Sequence, residues 1–298
     1  MITVMGATGR TGGEIIRLLL NRGEQVRALG RSEAGLAALR AAGAETMAGV
    51  ATDVVFLAEA FRGADSVYTL LPYDPMTPEY HAEQNRMGEA IATAIRDAGV
   101  PSAVMLSSVG ADMAAGTGFI ASLHAQEQRL SRLTGTNVLT LRCGWFFENF
   151  HATLDLIRQE GFIGDAVAPD LPIPMIATRD IAAVAATALV DRDWSGFTVR
   201  ELLGQRDLSM AEAISIIGAR IGQPDLPYIQ IPDADLIAAL VQAGLARDSA
   251  VAQVELGRAL NDGTIVSREG RTAANSTPTR FEDFATELAM GFRAAAVH

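Results

Sequence analysis

A doubly wound parallel α/β sheet carrying a smaller C-terminal α+β lobe is what three features of this 298-residue chain predict. Apolar runs of strand length alternate with helix-periodic segments through the first half. The first of those runs breaks at a turn, Gly6–Gly13, that holds four glycines in eight residues. The alternation then gives way to a more helical remainder.

Met1–Met5 is a short apolar run ending at glycine, and Glu14–Asn21 places Ile15, Ile16, Leu18, Leu19 and Leu20 at helical spacing. Gly23 closes that helix and Gln25–Gly30 alternates as a second strand, so the first 30 residues read as one β-α-β unit. A helix is expected over Glu33–Ala42, an irregular stretch over Glu45–Asp53, a helix reaching Ala60, and a buried strand within Ala64–Tyr73. Pro72–Pro78 (PYDPMTP) is the most loop-like stretch, and Tyr80–Ala98 is a long helix leading into the strand-to-loop segment Ser102–Ala111. A helix at Leu123–Leu133 precedes a strand opening into an aromatic loop across Asn137–Phe150. Helices are expected at Asp180–Val190 and Ser209–Ile221 and twice within Ala234–Asn261, with a strand at Phe197–Leu203. The organisation that follows is a nucleotide-binding domain over residues 1–150 and a C-terminal part over 151–298, which returns to the sheet at about 176–204 and otherwise builds the substrate lobe.

Composition narrows the function. A net charge of −11 argues against a phosphate-tracking surface and so against nucleic acid as a partner. Every one of the 24 basic residues is Arg; the chain has no lysine. Cys143 is the only cysteine, so no internal disulfide forms and a reducing, cytoplasmic compartment is expected. No apolar run approaches the ~18 residues that a membrane span needs, and the N-terminus lacks a signal-peptide pattern. The four histidines, His81, His124, His151 and His298, show no metal-ligand spacing, and no metal is expected.

Gly6, Gly9 and Gly12 form a G-x-x-G-x-x-G turn between a strand and a helix. Glycine there lets the backbone approach a pyrophosphate, and the helix N-terminus offers N–H groups and partial positive charge. This is the context of a Rossmann-type dinucleotide site. At the end of the second strand an acid would accept from a ribose 2′-hydroxyl, whereas an Arg would meet a 2′-phosphate. The chain has Arg31 followed by Ser32, with Glu33 two residues too late and Arg10 inside the glycine turn. NADP(H) is therefore the expected cofactor.

These residues, with LLPY at Leu70–Tyr73, SSVGA at Ser107–Ala111, LHAQEQRL at Leu123–Leu130, LRCGWFFENF at Leu141–Phe150 and TRDIAAVA at Thr178–Ala185, resemble the NmrA-like branch of atypical short-chain dehydrogenases/reductases. The C-terminal segment VQAGLARDSAVAQVELGRALNDG is similar to that branch's quinone oxidoreductases and triphenylmethane (dye) reductases, so the resemblance spans essentially the whole chain. It implies a cleft between nucleotide domain and lobe. Gly6, Thr8, Gly9, Arg10, Thr11 and Gly12 would wrap the pyrophosphate, Arg31 the 2′-phosphate, and Leu71 and Pro72 the ribose near the nicotinamide. Ser107 and Gly144 to Phe146 would lie beside the nicotinamide. One departure stands out: Gly49-Val50 occupies the place where the family often has Gly-Asp near adenine.

Ordinary short-chain dehydrogenases exchange a proton through a Tyr-x-x-x-Lys pair, which a chain without lysine cannot use. His124 occupies the corresponding region, as a proton donor or as a plain helix-surface or core-capping histidine. Ser108 falls where related enzymes orient substrate, or else caps the next turn. Trp145, Phe146 and Phe147 cannot all face one way, so at least one is expected to line the cleft, with Tyr73 and Tyr228 as further walls. Asp180 reads as a helix cap and Glu148-Asn149 as a loop brace. The expected function is NADPH-dependent hydride transfer to a small aromatic or conjugated acceptor such as a quinone or dye, which needs little acid catalysis. The alternatives are a non-catalytic NADP(H)-binding redox sensor and a biosynthetic carbonyl or enone reductase; a homodimer is compatible with all three.

Overall fold

A computed structural model of the chain describes residues 1–294. In chain order the elements are β1 (Ile2–Val4), α1 (Arg10–Asn21), β2 (Val26–Gly30), α2 (Glu33–Ala41), β3 (Glu45–Ala48), α3 (Val54–Phe61), β4 (Ser66–Thr69), α4 (Tyr80–Ala98), β5 (Ser102–Ser108), α5 (Ile120–Leu130) and β6 (Asn137–Cys143). They continue with β7 (Trp145–Phe146), a 3-10 helix (Phe147–Thr153), α6 (Leu154–Glu160), β8 (Ile163–Asp165), β9 (Ile173–Ile176), α7 (Thr178–Asp191), β10 (Phe197–Leu202), β11 (Asp207–Leu208), α8 (Met210–Ile221), β12 (Tyr228–Gln230), α9 (Asp233–Gln242), α10 (Arg247–Asn261) and α11 (Phe281–Ala294).

Seven strands form one parallel sheet in the order β10-β6-β5-β4-β1-β2-β3. From β1 the chain winds outward through β2 and β3, then crosses back to β4 and winds the other way. The C-terminal ends of β1 and β4 therefore flank the crevice where a doubly wound sheet binds its ligand. One face of the sheet is covered by α1 and α7, whose Ile15, Ile16, Leu19, Ile181, Ala185 and Leu189 pack on Val4, Ala28 and Leu139. The opposite face is covered by α3, α4 and α5 through Phe61, Ile91, Ile95 and Leu130. The third core belongs to the C-terminal elements, where Phe147, Phe150, Phe281 and Phe284 meet edge to face or tilted at centroid distances of 5.0–5.8 Å.

Two expectations need correction. Glu45–Ala48, expected to be irregular, is the edge strand β3, paired with Arg27–Gly30. It pairs with a strand on one side only and offers just Met47 and Ala48, one to each core, so its apolar pattern is short, and a cross-strand pair between Arg27 and Glu45 at 2.8 Å helps to set the register. The closing helix α11, which is not among the expected elements, packs Phe281, Phe284 and Leu288 into the C-terminal core. A pair of helices does fill Ala234–Asn261, as α9 and α10.

Just before α5, Gly118, at φ +57°, lies against α10 so closely that a Cβ would stand 2.0 Å from the Ala252 carbonyl oxygen. Neither the left-handed backbone nor the gap accepts a side chain. Gly118→Ala is expected to lower stability by about 3 kcal/mol, read as a fall in the urea midpoint.

Candidate functional site

The glycine turn is built by exclusion of side chains. Gly6 has φ +65°, and a Cβ on Gly12 would lie 2.3 Å from the Gly6 carbonyl oxygen. That approach aims the first turn of α1 at the crevice. Gly9 caps α1 without any side-chain hydrogen bond, and the N–H groups of Arg10, Thr11 and Gly12 find no acceptor among the described residues. An uncapped helix start between two strands at the sheet's reversal fits a pyrophosphate. Thr11 is buried and accepts from the Tyr68 hydroxyl at 3.2 Å, which leaves its own proton for an outward acceptor. Burial pushes the Tyr68 phenol well above its usual range, so it remains the donor of that pair.

Arg31 stands exposed at the end of β2 with no ion pair among the described residues, and Thr8 is exposed beside the start of α2. Ser32 is occupied as the cap of α2, accepting from Gly35 N at 3.2 Å. Val50, at the departure noted above, is 54% exposed, and Asp53 spends its carboxylate capping α3 at Phe56 N, 3.0 Å away. Leu71 and Pro72 follow β4 across the crevice, the Pro72 carbonyl accepting from Gln84 Nε2 at 2.8 Å.

Several of the expected site residues have other commitments. Arg10 donates from Nη1 to the Glu148 carbonyl at 2.6 Å, bridging the glycine turn and the loop after β6. Ser107 is buried on the interior strand β5 and its hydroxyl donates to Glu127 of α5 at 2.7 Å. Gly144 is needed for packing: a Cβ there would stand 2.5 Å from the Pro174 carbonyl oxygen. The Tyr228 hydroxyl donates to Val167 O at 2.7 Å. The aromatic triplet splits: Trp145 borders the lobe core, Phe146 the α1–α7 face, and Phe147 is buried among Phe281 and Phe284. Tyr73 is 55% exposed, in edge contact with Tyr80 and Phe119.

Ser108 is half-buried and its hydroxyl donates only to backbone, to Val109 O at 3.0 Å. His124 places Nδ1 2.8 Å from the Ala111 carbonyl; since a carbonyl only accepts, Nδ1 carries the hydrogen and Nε2 is left for another partner. Burial raises the Tyr73 phenol to about 12 and lifts Tyr80 and Tyr228 further, which keeps all three protonated. His151 lies toward Arg10 and is shifted down, first by burial and then by that positive charge. His298 lies outside the described residues.

Two roles are exchanged relative to expectation. Glu148 is the cap: both of its oxygens accept from Thr178 N at 3.0 Å, at the start of α7. Asp180 is the brace, accepting from Thr279 N at 3.0 Å and Thr279 Oγ1 at 2.6 Å. Neither pairing leaves a local sequence signal, since the partners are 30 and 99 residues apart. A charge network running from a buried glutamate to the surface was equally hidden: Glu127 is held by Arg142 at 2.6 Å, Arg142 approaches Asp112 at 3.8 Å, and Asp112 pairs with exposed Arg268 at 2.6 Å. The only trace of it is a glutamate on the buried face of α5.

The sequence model of the NmrA-like family matches residues 1–285. The chain belongs to the NmrA-like family. Among relatives of this NmrA-like chain, an NAD(P)H azoreductase of Xenophilus azovorans is 30% identical over 258 residues, 86% of each protein. A (4-alkanoyl-5-oxo-2,5-dihydrofuran-3-yl)methyl phosphate reductase of Streptomyces griseus is 30% identical over 224 residues, 75% of each. The fold matches an NADPH-dependent quinone oxidoreductase of Escherichia coli complexed with NADPH at a TM-score of 0.81 and 23% identity, covering 97% of this chain and 99% of that one. No helix among the described residues is long and apolar enough to cross a membrane.

In the lobe, Asp165 accepts from Ala166 N at 2.6 Å and from Gln253 Nε2 at 3.3 Å, yet burial pushes its carboxyl up from 3.8 to about 6. The folded state then holds a proton that the unfolded chain has released, so stability falls as pH rises from about 4 to about 6. Asp165→Asn is expected to remove this group's share of that decline, about 3 kcal/mol. Thermal melts of both proteins from pH 4 to pH 7 measure it.

Proposed function

We propose that this chain is an NADPH-dependent oxidoreductase that reduces small conjugated acceptors. The observation that carries the reading is the uncapped start of α1 at the glycine turn, set at the sheet's reversal with exposed Arg31 at the end of β2. The backbone N–H groups of Arg10, Thr11 and Gly12 hold the pyrophosphate, and Arg31, with Thr8 nearby, meets the 2′-phosphate. Leu71 and Pro72 cover the ribose on the other side of the crevice. When bound, the nicotinamide supplies hydride to the acceptor.

The protein contributes chiefly position and exclusion of water. Trp145, Phe146 and Tyr73 offer partly exposed aromatic surface for a flat acceptor. Hydride plus one proton converts a quinone to its hydroquinone. His124, with Nδ1 tied to Ala111, can deliver that proton from Nε2 when protonated, and a strongly electrophilic acceptor needs the help least. The names of the relatives support an acceptor of this class, since they include an azoreductase and a reductase of an oxo-dihydrofuran. A sensor that binds NADP(H) without turnover is the second reading. It is favoured by the absence of lysine and by the commitment of the Ser107 and Tyr228 hydroxyls to protein partners. A cytoplasmic location and a homodimer complete the proposal, the former resting on the single buried Cys143.

Anaerobic NADPH oxidation, with NADH in parallel, against a benzoquinone, a naphthoquinone, an azo dye, a triphenylmethane dye and a 2,5-dihydrofuran-5-one tests the assignment. Rapid NADPH-selective turnover of at least one acceptor is expected; tight NADPH binding with no turnover selects the sensor. Arg31→Ala is expected to weaken NADPH binding about tenfold, roughly 1.4 kcal/mol, and to leave NADH binding unchanged. Equal losses for the two nucleotides remove Arg31 from the 2′-phosphate. His124→Phe is expected to lower the rate with a ketone far more than with a quinone, and equal rates with the ketone return it to a structural role.

A further inference from the structure

The loop between β4 and α4 carries Leu71, Pro72 and Tyr73, and it is fastened at its far end to the lobe. Helix α4 starts at Tyr80, whose N–H donates to Asp248 Oδ2 at 2.6 Å, a contact between residues 168 apart in sequence. Asp248 belongs to the first turn of α10, so one half-buried carboxylate caps α4 from inside the N-terminal turn of a helix in a distant part of the sequence. A second tie lies beside it, where Ala246 N donates to the Pro75 carbonyl at 3.0 Å.

Local chemistry does not supply this cap. Glu79, which precedes α4 and would ordinarily cap it, makes no side-chain hydrogen bond to the helix and sits in the left-handed region at φ 55°, ψ 47°. A non-glycine residue held there is strained, and such strain persists only where surrounding contacts impose it. The imposed contacts are visible: Asp248 on the backbone that follows, and the edge-on cluster of Tyr73, Tyr80 and Phe119, with centroids 4.9–5.9 Å apart. Between these anchors Asp74 makes the loop's own turn, accepting from Met76 N at 3.0 Å.

We propose that Asp248 is a positioning residue that latches the loop Pro72–Glu79 across the nicotinamide half of the crevice, and that release of bound NADP(H) requires this cross-lobe cap to break. The inference rests on the cofactor reading above. Its conformational half stands on the contacts Tyr80–Asp248 and Pro75–Ala246 alone. The strained Glu79 stores energy against the closed state, and Asp248 holds the state closed. The two residues therefore act in opposite directions: removing the carboxylate opens the loop, and relieving the strain keeps it shut.

The test pairs hydrogen exchange of the amides at 73–80 in the nucleotide-free protein with stopped-flow displacement of bound NADPH. Asp248→Ala is expected to raise both the exchange and the release rate about fivefold, the scale of a lost helix cap. Asp248→Asn retains a carbonyl acceptor and is expected to restore most of the difference. Glu79→Gly is expected to slow both processes two- to fivefold, by removing the left-handed strain. Unchanged exchange at 73–80 in folded Asp248→Ala overturns the latch. So does Glu79→Gly shifting both rates upward, and that variant with Asp248→Asn decides the matter if Asp248→Ala fails to fold. A wild-type protein that binds no NADPH overturns the cofactor reading and the release step, while the exchange data still decide whether the loop is latched.

Discussion

A Cβ on Gly12 would lie 2.3 Å from the Gly6 carbonyl, and the geometry of the whole crevice follows from that forbidden contact. Because two glycine backbones meet there, α1 begins immediately beyond β1 and leaves its first N–H groups without protein acceptors. The sheet reverses its winding beside this point, so the exposed positive end of the helix faces an opening rather than a neighbouring strand. Arg10 carries the constraint outward: its bond to the Glu148 carbonyl ties the glycine turn to the loop after β6, and the Glu148 carboxylate in turn caps α7. A chain of three contacts thus joins the first helix, the aromatic loop and the returning helix into one frame.

A second frame holds the other side of the crevice. Glu127, Arg142, Asp112 and Arg268 connect α5, β6, the loop after β5 and the C-terminal segment, and buried Glu201 accepts from Arg268 N at 2.9 Å. Removing Arg142 would leave the buried Glu127 carboxylate without its charged partner, the costly way to break such a pair. The loop that holds the Ala111 carbonyl, and with it the orientation of His124, is fixed by this network. By contrast, the loop after β4 has no ion pair among the described residues and is held by the Asp248 carboxylate, two hydrogen bonds to its Pro72 and Pro75 carbonyls and a few aromatic edges. Of the walls of the crevice it is the one of lower cost to move.

Much of this was legible in the residues. The glycine turn, the two flanking strands and α1 showed through periodicity and spacing, which are local and repeat every two or 3.6 residues. Tyr80–Ala98 was placed to the residue as α4 because its helical pattern is long and closes at Gly99, which has φ +64°. Strand β3 was missed because an edge strand lacks the two-sided apolar signal, and α11 because its apolar face means little until the Phe147 and Phe150 rings are set against it. Asp180 and Glu148 were given each other's work: either carboxylate suits either task, and only their distant partners, Thr279 and Thr178, tell them apart.

By itself, the sequence determined the fold class, the position of the nucleotide turn, the place of Arg31 at the end of β2 and the absence of any lysine for an ordinary proton relay. These depend on residue type and short spacing, which a linear chain states directly. The tertiary structure alone decided the partners of these side chains, giving the hydroxyls of Ser107 and Tyr228 protein acceptors and dividing the aromatic triplet among different surroundings. It alone paired Tyr80 with Asp248. The reason is physical: a hydrogen bond between residues more than a hundred positions apart costs loop-closure entropy that no local pattern records, and it exists only because the packed cores have already brought its partners together.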